Sequence, residues 1–155
     1  MAKKPPKRTS FTVAVQVTNL RETLAAVHAV GKDAEAALRV RAAELAKTLA
    51  ASITSAAKRD RSPQARLVVQ TLKVKRDRLP VLEVGGTKRL GRNKAPAWAL
   101  LFGSEFGSGQ HKQFHKRHTG TTGSWFFPTV EREQAEIVAA WEEAAADVVR
   151  EFGED

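Results

Sequence analysis

From Leu20 to Lys58 the chain is dense in Ala, Leu, Glu, Lys and Arg, all strong helix formers. Leu24, Val27, Ala34, Leu38, Leu45, Leu49 and Ile53 recur at spacings of three, four or seven. They form one apolar stripe, and a stripe of this period needs a second layer to cover it. Ala36, Ala37, Ala42, Ala43, Ala46, Ala50 and Ala51 widen the stripe and permit close approach of a neighbour. Asn19 is placed to cap this helix, and Glu22 lies in its first turn, where negative charge is favoured. Gly31 marks either a break between two helices or a kink in one. Arg59-Asp-Arg-Ser-Pro63 ends the helical run.

A second amphipathic helix is predicted from Pro128-Thr129 to about 152. Glu131, Glu133 and Glu136 lie in its opening turns, with Val130, Ile137, Trp141, Ala145, Val148 and Phe152 on its apolar face, and Gly153 as its stop. Strands are expected where apolar residues alternate. Ser10 to Thr18 places Phe11, Val13, Val15 and Val17 on one face. Ala65–Asp77 and Arg78–Val84 read as two more, with Arg76-Asp77-Arg78 as a hairpin tip. Gly85-Gly86 ends the third strand, and residues 87–96 read as a basic loop. Residues 97–102 suit a helical turn or a short strand. Residues 103–122 suit an exposed loop, and Trp125–Phe127 a last extended segment. The expected fold class is α+β. A small, mostly antiparallel sheet from 10–18, 65–84 and 97–102 or 123–127 is packed by a long N-terminal helix and a C-terminal amphipathic helix.

The 155 residues suit one domain, 10–155, preceded by a basic tail over residues 1–9 that has nothing to bury. With no cysteine, disulfides and thiolate metal sites are excluded. No apolar run approaches the roughly 18–20 residues that a membrane span needs. The charged N-terminus is followed by no hydrophobic signal core, so a signal peptide is not expected.

Charge is unevenly distributed. Residues 1–94 carry 21 Lys and Arg against 7 Asp and Glu, a net +14; residues 95–155 carry 5 against 10, a net −5. A basic body with an acidic C-terminal helix can dock on copies of itself or face a polyanion. Lys73, Lys75, Arg76, Arg78, Lys88, Arg89, Arg92 and Lys94 gather within 22 residues. Such a strip neutralises phosphates without reading sequence, so a sequence-neutral nucleic-acid binder is the alternative function.

The aromatic residues are concentrated elsewhere. All three tryptophans lie between Trp98 and Trp141, and five of the seven phenylalanines lie between Phe102 and Phe127, among glycines and cations. Aromatic anchors with little catalytic equipment suit a binding interface. His111, His115 and His118 stand at i, i+4 and i+7, but Lys112, Lys116 and Arg117 surround them and oppose a bound cation. No metal, cofactor or catalytic residue is therefore assigned. Ser104, Ser108 and Ser124 lack the Gly-x-Ser-x-Gly frame, and Gly85-Gly86-Thr-Lys88 lacks phosphate-loop spacing, so an enzyme is not expected.

Leu101-Phe-Gly-Ser-Glu-Phe-Gly107, Phe114, Thr119-Gly120, Gly123 and Trp125-Phe-Phe-Pro-Thr129, followed by an acidic amphipathic helix, resemble the head–tail joining or tail-completion proteins of long-tailed bacteriophages. The resemblance is strongest from about Ala65 onward. It implies a structural virion protein of the phage neck, assembled in the bacterial host cytoplasm. Copies of the chain would form a ring, with six expected, joining the head's connector or stopper to the tail tube. Double-stranded DNA would pass through the lumen, and the basic strip could face it. Under this reading Trp98, Phe102, Glu105 and Phe106 shape the interface edge. Phe114 and His115 sit on a docking loop, and Trp125, Phe126 and Phe127 anchor that loop to the body. Arg61-Ser-Pro-Gln-Ala-Arg66 stands where the family commonly has a Ser/Thr-Gly-x-Leu-Arg-type turn. Tail completion, tail terminator and head-completion adaptor therefore all remain open.

Overall fold

The computed structural model describes residues 11–107 and 124–153. The expected basic tail and most of the expected loop, including Phe114, His115 and the three clustered histidines, lie outside the described residues.

The fold is α+β, a three-stranded antiparallel sheet and a long antiparallel helix pair. Strand β1 (Phe11–Ala14) is followed by α1 (Leu20–Val30) and α2 (Lys32–Arg59). Next come α3 (Pro63–Val68), a 3-10 turn over Val69–Thr71, β2 (Lys73–Lys75) and β3 (Val81–Val84). A small hairpin of β4 (Arg89–Leu90) and β5 (Ala95–Pro96) runs into α4 (Ala97–Phe106), and α5 (Phe126–Gly153) closes the chain.

Gly31 is a break between two helices. Its φ of +133° lies outside what a side-chain-bearing residue adopts comfortably, although a Cβ there would meet nothing within 4 Å. The requirement is conformational, not steric. Asn19 sits at the start of α1 in the left-handed region and makes no side-chain cap bond. Its carbonyl instead accepts the Thr23 N–H at 3.0 Å.

Helix α2 buries Ala34, Leu38, Ala42, Ala46, Leu49, Ile53 and Ala57, one residue per turn. Alanine at four of these seven positions lets α5 approach closely. The seam has two apolar clusters. Towards one end, Leu38 and Ala42 of α2 meet Val27 of α1 and Trp141, Ala145 and Val148 of α5. Towards the other, Leu49, Ile53 and Ala57 meet β3, α3, α4 and the start of α5, with Phe126 and Ile137. Each fully buried Leu, Ile or Val contributes about 1.5–3 kcal/mol.

In the sheet, β3 lies between β1 and β2, pairing Val13 with Leu82 and Val74 with Leu82. Val81, Leu82 and Val84 are buried, whereas edge strand β2 exposes Lys73 and Lys75. Val15 is buried just beyond β1, and Val13 and Val17 pack against the core, as the alternation predicts.

Six expectations need correction. The strand expected over 10–18 ends at Ala14. Residues 87–96, expected as a basic loop, contain the β4–β5 hairpin. Residues 65–71 form α3 and a 3-10 turn, not a strand. Pro63 starts the helix at its first position, and burial of Ala65, Val68 and Thr71 at intervals of three rewards helical phase over β-branched propensity. Residues 97–102 belong to α4, which extends to Phe106 and so takes in the first part of the expected loop. Neither 97–102 nor 124–127 adds to the sheet. Finally, α5 begins at Phe126, so Phe126-Phe127 are helical and not extended.

Candidate functional site

Helix α4 meets α5 through a buried carboxylate. Glu105 is 0% exposed. Its Oε2 accepts the Ser124 N–H at 2.9 Å, and its Oε1 accepts the N–H groups of Trp125 at 2.8 Å and Phe126 at 2.6 Å. These are backbone donors at the start of a 28-residue helix, where N–H groups lack intrahelical partners and negative charge is stabilised. Pro128, two residues on, has no N–H to satisfy.

Side chains close the joint. Ser124 Oγ donates to the Glu105 carbonyl at 2.9 Å. The Trp125 indole N–H donates to Ser104 Oγ at 3.0 Å, and that hydroxyl donates to the Leu101 carbonyl at 2.9 Å. Thr129 Oγ1 donates to the Trp125 carbonyl at 2.6 Å. Trp125 and Phe126 are buried. Glu105 is thus corrected from interface edge to internal clasp, because its carboxylate is enclosed and committed to three backbone donors. Trp125 and Phe126, expected to anchor the docking loop, are buried at this joint, and the loop itself lies outside the described residues. Ser104, buried and bonded on both sides, is a structural hydroxyl.

An aromatic ladder leads outward from this joint. Trp125 meets Phe126 edge-on at 5.7 Å between ring centroids, and Phe126 meets Phe127 edge-on at 5.1 Å. Phe127 stacks on Phe106 at 5.8 Å, and Phe106 on Phe102 at 6.4 Å. Phe106 and Phe127 are half-buried. The far end is open: Phe102 is 41% exposed, and Trp98, one turn earlier on α4, is 50% exposed. Trp141, the third tryptophan, is buried in the α2–α5 seam and donates its indole N–H to the Arg78 carbonyl at 2.7 Å.

The basic strip divides. Lys75 pairs with Glu83 at 3.4 Å, and Arg78 lies 4.0 Å from Glu35. Glu35 also receives His28 Nδ1 at 2.9 Å, and that hydrogen bond holds its carboxyl below the usual range. Arg89 Nη1 donates to the Lys94 carbonyl at 2.9 Å, across the β4–β5 hairpin. Lys73, Arg76, Lys88, Arg92 and Lys94 are exposed and make no ion pair among the described residues.

A surface of opposite sign lies on α5. Glu131, Gln134 and Glu142 border a shallow, open groove along one flank of α5 with Ala135, Val138 and Ala139, and Val138 also packs against the core. No group of three or more potential metal ligands occurs among the described residues. No described helix is long and apolar enough to cross a membrane.

The sequence did not mark Glu105 as a helix clasp, because caps are ordinarily read within three residues of the helix start and this one is supplied from nineteen or more residues away. A usable signal exists: Glu105 is the lone acid between Lys94 and Glu131, within a strongly apolar stretch.

No family model matches the chain, and neither a curated protein nor a solved structure shows significant similarity to it.

Proposed function

We propose that this chain is a structural subunit that assembles with copies of itself, in the neck of a long-tailed phage, into a ring joining the head connector to the tail tube. The observation that carries the assembly reading is the exposed aromatic edge of α4. Trp98 is half exposed and Phe102 is 41% exposed, on a helix whose Leu100 and Leu101 are buried. A rigid tryptophan at such a position is the residue type that dominates binding energy at protein interfaces. The location in a phage neck is supported by the sequence resemblance centred on Leu101–Gly107 and Trp125–Thr129.

The mechanism is stoichiometric. The clasp holds α4 and α5 in a fixed relation, so the edge is presented pre-organised and little ordering is required on docking. Native mass spectrometry of the purified chain, with and without Trp98→Glu, tests this. A defined oligomer that the substitution reduces to monomer is expected. An oligomer unaffected by Trp98→Glu, or a monomer at every concentration, contradicts it. Counting copies against the portal protein in purified phage particles tests the neck location, where one ring's worth per particle is expected.

A further inference from the structure

We propose that copies of this chain join head to tail. The corner made by the β4–β5 hairpin and the first turn of α4 seats on the outward groove of α5 in the next copy. This junction rests on the assembly reading above and specifies the surfaces it uses.

The corner is a single built unit. β5 runs directly into α4. The Ala97 N–H donates to the Lys88 carbonyl at 2.9 Å, and the Trp98 N–H to the Gly86 carbonyl at 3.0 Å. Lys94 turns the hairpin with a φ of +48°, and its carbonyl receives Arg89. The exposed cations Lys88, Arg92 and Lys94 therefore share one frame with the exposed indole of Trp98. None of these three cations has an acid partner among the described residues.

The groove on α5 offers the converse. Its apolar residues, Ala135, Val138 and Ala139, are small or medium, so the surface is shallow and open and a flat ring can lie against it. Glu131 and Glu142, one at each end, also form no ion pair among the described residues. An aromatic knob flanked by unpaired cations thus matches an apolar trough flanked by unpaired acids. Duplex DNA would match the cations alone and leave both the indole and the acidic trough unused. Because the two surfaces differ, the contact is heterologous, and repetition produces a ring when the rotation closes.

The test is a charge exchange on the full chain, read by sedimentation velocity. One variant carries Arg92→Glu and Lys94→Glu; the other carries Glu131→Lys and Glu142→Lys. All four sites are surface positions on otherwise intact elements, and circular dichroism checks the fold. Each variant alone is expected to self-associate on the order of 100-fold more weakly, since every junction then opposes like charges. An equimolar mixture restores assembly, because alternating copies again oppose unlike charges at every junction. Moving from about 0.1 M to about 1 M salt weakens the wild-type junction.

Wild-type association by both separate variants overturns the junction while leaving the assembly reading intact. Weakened variants that the mixture does not restore also overturn it. A wild-type chain that stays monomeric overturns both. If the Arg92/Lys94 variant loses only duplex-DNA binding and still assembles, the corner is a nucleic-acid contact and the junction is wrong.

Discussion

The two ends of α4 carry one helical stripe to opposite fates. Trp98, Phe102 and Glu105 follow one another at i, i+4 and i+7, so they share a helical stripe. At the start of the stripe Trp98 is half exposed; at its end Glu105 is fully buried. The difference comes from α5, whose first residues cover the C-terminal end of α4 and present backbone N–H groups to it. A single aromatic-rich motif thus contains a joint that holds the fold and an exposed edge. Density of aromatic residues alone does not separate the two; the placement of the acid does.

The largest effect expected from breaking this contrast is at Phe126. Phe126→Ala removes a fully buried ring and should cost about 3–5 kcal/mol, measured by urea unfolding. Glu105→Ala should follow at about 3 kcal/mol, because three backbone donors lose their acceptor at once. Glu105→Gln should cost less, about 1–2 kcal/mol, since one oxygen still accepts while the amide faces another donor. Ser104→Ala leaves the Trp125 indole N–H without its partner and should cost about 1–2 kcal/mol. At the open end, Trp98→Glu should change stability by no more than about 0.5 kcal/mol while abolishing self-association.

The smallest effect lies away from α4. The His28 hydrogen bond, with His28, Arg39 and Arg78 charges adding to it, lowers the Glu35 pKa. A carboxyl depressed in the folded state stabilises it above the unfolded pKa of about 4.3, and that contribution is lost as pH falls through the lower folded value. His28→Ala should raise the Glu35 pKa in an NMR titration and flatten this acid-side loss. An unchanged Glu35 titration would show that the contact is not maintained in solution.

Much of the scaffold was legible because its signals are local and long. The stripe from Leu24 to Ile53 and the acidic opening turns of the last helix marked both long helices, and alternation from Phe11 to Val17 marked β1, which ends at Ala14, short of the expected Thr18. Residues 65–71 misled because Leu67, Val68 and Val69 favour a strand locally, whereas Pro63 and three-residue burial favour a helix. Trp125-Phe-Phe127 misled in the same way. Their helical geometry depends on an acceptor supplied by a distant residue, Glu105, which no window of local pattern contains. The basic cluster from Lys73 to Lys94 was legible as composition. Its division into Lys75 and Arg78, which face acids, and Lys73, Arg76, Lys88, Arg92 and Lys94, which form no ion pair among the described residues, requires three dimensions.

Urea unfolding and sedimentation of Trp98→Glu and Glu105→Ala, measured side by side, probe the division of α4 most directly. The expected result is a clean separation: Trp98→Glu unfolds at the wild-type midpoint but stays monomeric, and Glu105→Ala unfolds at a markedly lower urea concentration. Wild-type stability in Glu105→Ala, or a loss of stability in Trp98→Glu as large as that in Glu105→Ala, would contradict it.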